Sequence, residues 1–305
     1  MKAGTHIADE LAGRVSRATM IRHDESMAKH TTLRVGGPAD VYVEPASEED
    51  LAGVVKFCHE HDLPFFVIGR GSNLLVRDGG VRGVILCLAH AYFSRIEVTG
   101  ERLHCGAGAK LKNVAVEAKR NGLSGVEFLE GIPGSVGGAL RMNAGAMGGA
   151  TFDVVETVRF MDHAGKIHER SRAGMPVEYR CCPLLKDHIA LNAVFKCQPA
   201  PREEIEKRMK SFSEKRWASQ PTAPSAGCLF KNPGKIPAGK LIDDLGLKGT
   251  RVGGAVVSAE HGNFIMNEGK ATARDILELI TILKARVKEA RGIELQTEVE
   301  IIGED

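Results

Sequence analysis

No apolar run in this sequence approaches the ~20 residues that a membrane-spanning helix requires. Nor does the N-terminal stretch Met1-Lys2-Ala3-Gly4-Thr5-His6-Ile7-Ala8-Asp9-Glu10 contain a signal-peptide core, and it soon turns acidic, so a cytoplasmic location away from membranes is expected. Paired cysteines are lacking as well. The seven thiols, Cys58, Cys87, Cys105, Cys181, Cys182, Cys197 and Cys228, are odd in number and contain no CxxC pair, and no His cluster has zinc spacing. This pattern argues against a disulfide framework or a metal site, and leaves most thiols to be small, buried and inert. Excess charge of one sign is missing too. A formal net charge of +2, from 41 Lys and Arg against 39 Asp and Glu, argues against a nucleic-acid binder acting through bulk electrostatics. Internal repeats and low-complexity tracts are absent.

What is present is an ordinary globular composition, 43% hydrophobic and 26% charged, in 305 residues, enough for two or three domains. Ser47-Glu48-Glu49-Asp50 reads as a capping box opening a helix through about His59. Phe65-Phe66-Val67-Ile68 follows as a buried strand, completing a strand–helix–strand unit with parallel pairing. Val84 to Leu88 is a second apolar strand, Glu101 to Cys105 begins a region of short strands, and Leu111 to Arg120 reads as a helix. Glu203 to Trp217 has helical spacing at Ile205, Met209, Phe212 and Trp217, and Gln220-Pro221-Thr222-Ala223-Pro224 breaks it. Thr272 and Asp275 cap a long helix with the stripe Ile276, Leu279, Ile280, Leu283 and Val287, ending at Gly292. Alternation from Ile293 to Ile301 predicts a terminal strand. This mixed order implies an α+β fold, not a regular doubly wound sheet.

Two glycine-containing segments carry chemistry. Gly69-Arg70-Gly71-Ser72-Asn73 follows a strand, and its backbone N–H groups could approach phosphate oxygens, although a tight turn without a ligand would use the same residues. It is neither a GxGxxG fingerprint nor a P-loop. The stretch Gly131 to Gly149, GIPGSVGGALRMNAGAMGG, has glycine at seven of nineteen positions and is expected to be neither helix nor regular strand. Such a segment makes sense if its backbone lies against a flat or anionic ligand; the alternative is a disordered linker, against which Ile132, Val136, Leu140 and Met142 argue for a packed loop. In Tyr179-Arg180-Cys181-Cys182-Pro183, Arg180 could clasp a carboxylate in two-pronged fashion, while a surface ion pair is the ordinary fate of one Arg. Cys228 lies in the Gly-containing turn Pro224-Ser225-Ala226-Gly227-Cys228-Leu229-Phe230-Lys231-Asn232-Pro233. A thiol with the usual pKa of ~8.5 can donate a proton at neutral pH, could act as a thiolate nucleophile beside a base, or is simply a buried packing residue. Glu298 falls on the polar side of its strand, where solvation is the ordinary reading.

Taken in order, HTTLRVGGPAD, IGRGSNLLV, GIPGSVGGALRMNAGAMGG, EYR, PSAGCLFKNP, AGKLIDDLGLKG, HGNFIMN and EVEIIG resemble the UDP-N-acetylenolpyruvoylglucosamine reductase family from about Met27 to Gly303. The resemblance implies a vanillyl-alcohol-oxidase (PCMH) type FAD-binding fold in two subdomains, 1–88 and 89–210. It adds an α+β substrate-binding domain over 211–305, whose terminal strand is a candidate to return to the FAD subdomains. It also implies FAD as cofactor, NADPH as reductant, and the small molecule UDP-N-acetylglucosamine enolpyruvate as substrate, in peptidoglycan precursor synthesis, with no obligate protein partner. Hydride would pass to the terminal vinyl carbon and a proton to the carbon bearing the carboxylate. The residues implied for the cofactor are Gly69, Arg70, Gly71, Ser72 and Asn73 at the pyrophosphate, with Gly131, Ile132, Pro133, Gly134, Ser135, Gly137, Gly138, Asn143 and Gly145 flanking the flavin. Arg180 and Glu298 would act on the substrate carboxylate, and Cys228 takes the position of the proton donor, where Ser or Cys occurs. Tyr179, Arg216, Lys231 and Asn232 are the substrate-contact candidates. Met147 and Cys182 depart from the family pattern, and the short connections after Asn143 and over 183–197 fit the compact subtype without a Tyr-bearing loop. A covalent flavin oxidase is disfavoured because the segment from Gly131 to Gly149 has no His. A non-catalytic flavin or UDP-sugar binder would have no use for an acid donor.

Overall fold

A computed structural model of the chain describes residues 3–305, so the first two positions of the N-terminal stretch read above lie outside it. The chain opens with α1 (Ala3–Ala12), β1 (Met20–Ser26) and β2 (Pro38–Glu44). α2 (Glu48–Glu60) starts where expected, with the Ser47 hydroxyl accepting the Asp50 N–H at 3.1 Å. Asp50 does not complete a capping box. Its carboxylate instead accepts from the Ser16 N–H and hydroxyl, both at 2.7 Å, and from Thr19 Oγ1 at 2.8 Å. β3 (Phe65–Ile68), β4 (Leu74–Val76) and β5 (Val81–Cys87) follow. β3 pairs in parallel with β5, Phe65 opposite Val84. It differs from the expected buried strand, because Phe66 and Val67 are 36% and 37% exposed. The reason is its place at the edge of the sheet β1-β2-β5-β3.

Next come β6 (Ile96–Thr99), β7 (Arg102–Gly106), α3 (Leu111–Arg120) and β8 (Leu123–Ser124). α3 buries Leu111, Val114, Ala115 and Ala118, an i, i+3, i+4, i+7 stripe. The glycine-dense segment is more regular than its composition predicts. It forms α4 (Val136–Met142) and the tight pair β9 (Gly145–Ala146) and β10 (Gly149–Ala150). Packing overrides propensity here: a Cβ on Gly137 would stand 3.1 Å from the Ala107 Cβ, so glycine lets the helix approach the neighbouring backbone. After α5 (Thr151–Val154), the strands β11 (Val155–Met161), β12 (Ile167–Ser171) and, beyond α6 (Leu184–Asp187), β13 (Ile189–Lys196) join an antiparallel sheet of order β12-β11-β13-β7-β6. β14 (Gln198–Pro199) pairs with β8, and α7 (Arg202–Trp217) follows.

The rest of the chain supplies α8 (Ala238–Asp244), β15 (Arg251–Val252), β16 (Ala255–Val257), β17 (Ile265–Asn267), α9 (Ala273–Arg291) and β18 (Glu300–Ile302). α9 matches its expectation in detail. Thr272 and Asp275 complete a capping box, the five stripe residues are buried, and Gly292 closes the helix at φ 67°. The terminal strand does not. Regular pairing is confined to β18, which runs parallel to β4 with Glu300 opposite Leu74. Residues 296–299 are held instead by the irregular segment around Leu229, which offers no regular ladder.

Contacts group the chain into two compact units. The first comprises 3–23, 40–70 and 83–215, with a core that includes Val54, Val84, Val114, Phe160 and Phe195. The second comprises 24–39, 71–82 and 216–305, and its core joins Leu33, Val35 and Leu75 to Leu229, Phe230 and the α9 stripe. Among the described residues no helix is long and apolar enough to cross a membrane.

Candidate active site

In the first unit Gly69, where the first glycine loop begins, meets the second loop, distant in sequence. A Cβ on Gly69 would stand 2.6 Å from Ser135 Oγ, so only glycine leaves this approach open. Ser135 is buried, and its segment is tied to the start of α3 through the Leu111 N–H to the Gly134 carbonyl at 3.2 Å. The first N–H groups of α4 are already engaged, Val136 with the Ala109 carbonyl at 2.9 Å and Gly137 with the Ala107 carbonyl at 2.8 Å. Below Gly69 lie groups that no local motif announces. Cys87 Sγ donates to the Gly69 carbonyl at 3.7 Å, and Tyr42, whose hydroxyl donates to Glu44 at 2.9 Å, neighbours the same thiol. Burial, with Cys87 and Glu44 adding to it, pushes the Tyr42 pKa far up and keeps the phenol protonated. Arg70 is exposed, and Ile132 and Gly138 are half-buried, as are Gly131, Gly134 and Gly145, whereas Pro133 is exposed.

Tyr179 and Arg180 form the two corners of a tight turn closed by Glu178 and Cys181, whose backbones exchange hydrogen bonds of 2.8 and 3.3 Å. Arg180 takes φ 56°, a left-handed conformation that costs a non-glycine residue energy and that concentrates at functional positions. Its guanidinium carbon lies 5.2 Å from the Tyr179 ring centroid. Nη1 is 3.3 Å from where a Gly145 Cβ would be, so Arg180 rests against the β9–β10 turn. Asn143 links the same parts: its Nδ2 donates to the Glu178 carbonyl at 3.1 Å and its Oδ1 accepts the Phe152 N–H at 3.2 Å. The predicted flavin-flanking residue is thus also a brace for the Arg180 turn.

In the second unit Cys228 is the only one of the seven cysteines that is not buried. Burial pushes Cys58 and Cys197 up to about 12, and raises Cys87, Cys105 and Cys182 as well, which keeps them as unreactive thiols. Leu229, next to Cys228, accepts the Glu298 N–H at 2.7 Å, so the two predicted acid groups belong to directly hydrogen-bonded segments. Asn73 holds the same place from the other direction. Its Nδ2 donates to the Glu298 carbonyl at 3.0 Å and its own carbonyl accepts the Glu300 N–H at 3.0 Å. Gly71, at φ 62°, could not carry a side chain, because a Cβ would stand 2.0 Å from the His30 carbonyl oxygen. Its carbonyl accepts the Thr32 N–H at 3.1 Å, and Ser72 is half-buried beside it. Lys231 is half-buried and its N–H donates to the Gln296 carbonyl. Asn232 Oδ1 accepts the Ala238 N–H at 3.0 Å and so caps α8. Arg216, at the end of α7, donates from Nε to Gln220 Oε1 at 3.2 Å and lies over the Trp217 ring at 5.2 Å.

Within the first unit, a glycine at 69 that admits the Ser135 hydroxyl and brings the second glycine loop alongside fits a bound dinucleotide such as FAD. Together with the α+β architecture it defines an FAD-dependent oxidoreductase with a PCMH-type fold. A profile described as an FAD binding domain matches residues 39–171, and one described as the UDP-N-acetylenolpyruvoylglucosamine reductase C-terminal domain matches 220–302. The UDP-N-acetylenolpyruvoylglucosamine reductase of Geobacter metallireducens is 45% identical, over 97% of this chain and 99% of its own. That of Clostridium novyi is 44% identical over 93% of each. The solved UDP-N-acetylenolpyruvylglucosamine reductase of Thermus caldophilus superposes with a TM-score of 0.80 at 40% identity, covering 93% of this chain and 98% of its own. Phl p 4.0202, a glucose dehydrogenase, shares the fold alone, with a TM-score of 0.52 at 15% identity over 65% of this chain and 44% of its own. The chain belongs to the UDP-N-acetylenolpyruvoylglucosamine reductase family.

Proposed function

We propose that this protein reduces UDP-N-acetylglucosamine enolpyruvate to UDP-N-acetylmuramate with NADPH, a cytoplasmic step of peptidoglycan precursor synthesis. The observation that carries the reading within this family is the half-buried Cys228, whose neighbour Leu229 accepts the backbone N–H of Glu298 at 2.7 Å. A bound FAD would supply the redox chemistry, the transfer of hydride between NADPH and the terminal vinyl carbon. Gly69 to Asn73 would hold its pyrophosphate, and Gly131 to Gly145 would lie along the ring system. Hydride addition to an electron-rich enol ether needs stabilisation of the negative charge that develops toward the carboxylate. Arg180 supplies it through a two-pronged contact with that carboxylate. Glu298 polarises the same group, and Cys228 donates the proton to the carbon that bears it. Tyr179, Arg216, Lys231 and Asn232 take the remaining substrate contacts.

The test is anaerobic. The flavoprotein is bleached with NADPH, UDP-N-acetylglucosamine enolpyruvate is added, and the flavin absorbance is followed. Prompt recovery of colour with formation of UDP-N-acetylmuramate is expected. A flavin that stays bleached in the presence of this substrate would reject the assignment and leave another acceptor to be found.

A further inference from the structure

The turn that carries Cys228 is fixed from one side by a buried amide that belongs to neither glycine loop. Asn263 lies between β16 and β17 and is 2% exposed. Its backbone carbonyl accepts the Leu229 N–H at 2.9 Å, its Oδ1 accepts the Phe230 N–H at 2.9 Å, and its Nδ2 donates to the Phe230 carbonyl at 2.8 Å. The fourth polar group of this dipeptide, the Leu229 carbonyl, accepts from Glu298. Leu229 and Phe230 are themselves buried, so each of these groups would carry a desolvation penalty if released. Upstream of Cys228, Gly227 at φ 74° borders open space where a Cβ would point. Further upstream the Thr32 hydroxyl donates to the Ser225 carbonyl at 2.6 Å and the Asn267 N–H to the Pro224 carbonyl at 2.9 Å, so Asn263 supplies the downstream hold on the thiol.

We infer that Asn263 is a positioning residue for the reduction, holding Cys228 in register with Glu298 through the backbone of Leu229 and Phe230. This rests on the proton-donor reading of Cys228 given above. An amide is the side chain the site demands, because it must accept from one N–H and donate to one carbonyl of the same residue. Aspartate keeps the acceptor and turns the donor into a repulsive oxygen; serine retains a short hydroxyl that cannot meet both groups. Asn263 is itself anchored by its N–H, which donates to His261 Nδ1 at 3.1 Å.

The experiment separates the two stages of turnover by stopped flow on the flavoprotein, comparing Asn263→Asp, Asn263→Ser, Cys228→Ala and Asn267→Asp. Asn267 is a matched structural control. It is 6% exposed and its side chain bonds to Leu33, Gly269 and Ala271, while its backbone N–H, which the substitution keeps, donates to the Pro224 carbonyl at 2.9 Å. Bleaching by NADPH needs no proton from Cys228, whereas recovery of colour with the enolpyruvyl substrate does. The Asn263 variants are expected to slow recovery about 10- to 100-fold, the cost of displacing a reacting group by about an ångström, with bleaching held within about twofold. The rate at which a dithiobis-nitrobenzoate reagent labels Cys228, measured without substrate, should change severalfold in the Asn263 variants and not in Asn267→Asp. Equal slowing of both stages, the same pattern in Asn267→Asp, or unaltered labelling would reduce Asn263 to a general structural residue and overturn the inference. Serine keeps the measurement open should aspartate prevent folding. If Cys228→Ala recovers colour at the wild-type rate, the donor reading falls and the inference falls with it. If that variant is slow while both Asn263 variants keep pace with wild type, only the inference fails.

Discussion

A left-handed backbone at a non-glycine residue is costly, so Arg180 at φ 56° is held there by its surroundings: the Glu178–Cys181 backbone pair, the Tyr179 ring and the β9–β10 turn. A guanidinium presents a planar fork to a carboxylate, whereas an ammonium is a point charge. Arg180→Lys is therefore expected to lower kcat/KM about 100-fold, with flavin content at the wild-type level, as steady-state kinetics and the absorbance ratio of the purified variant would reveal. Asp50 makes a residue-scale prediction about stability. Its burial raises the carboxyl pKa, but the hydrogen bonds from Ser16 and Thr19 outweigh that and leave it lowered. A carboxyl lowered in the folded state stabilises the protein above its unfolded pKa of ~3.9, and loses that contribution as pH falls through the folded value. Asp50→Asn should lower Tm most near neutrality, and the gap to wild type should narrow as the pH drops below about 4. A gap that stays constant from pH 7 to pH 3 contradicts the assignment. Of the predicted site residues, Asn73, Asn143 and Asn232 show why residue type alone undersells a position. Each carries a side-chain hydrogen bond to backbone that shapes the site, with Glu298, Glu178 and Ala238 respectively.

Among the elements, α9 was the most legible because its signals are local: a reciprocal cap at Thr272 and Asp275, a five-residue stripe and a closing glycine. Thr272→Ala removes the acceptor of the Asp275 N–H and should destabilise the protein by ~1 kcal/mol, read from the denaturant midpoint at constant m-value. Leu283→Ala, in the middle of the buried stripe, should cost more, about 2–5 kcal/mol. The elements read less well are those whose form depends on a partner distant in sequence. β3 has the apolar composition of a buried strand, yet lies at a sheet edge. α4 contains glycines that argue against a helix, yet forms because its backbone must approach Ala107. Alternation from Ile293 onward gave the correct apolar positions at Leu295 and Val299, both buried, but regular pairing only at β18.

For the whole molecule, the noteworthy fact is that the second unit is discontinuous. Leu33, Val35 and Leu75 contribute to its core, and β4 pairs with β18, although all of these precede residue 83. A fragment of 216–305 would expose the surfaces those segments cover and leave β18 without its neighbour. It is expected to lack a cooperative thermal transition by circular dichroism, and a sigmoidal melt would show 24–39 and 71–82 to be dispensable. FAD, by binding only the folded chain, should raise the Tm of the intact protein with increasing concentration.

By itself the sequence determined the capped and striped helices, the two glycine loops, the thiol in its turn, and the ordered series of motifs that places the chain in its family. These depend on near-neighbour spacing and on residue types that few backbones tolerate. Only the tertiary structure decided that Gly69 meets Ser135, that Arg180 rests on Gly145, and that the buried Asn263 closes the backbone of Leu229 and Phe230. It also decided which early segments share a core with α9. Such pairings are set by which buried surfaces and unpaired polar groups fit one another across long stretches of chain, and local sequence carries no record of that fit.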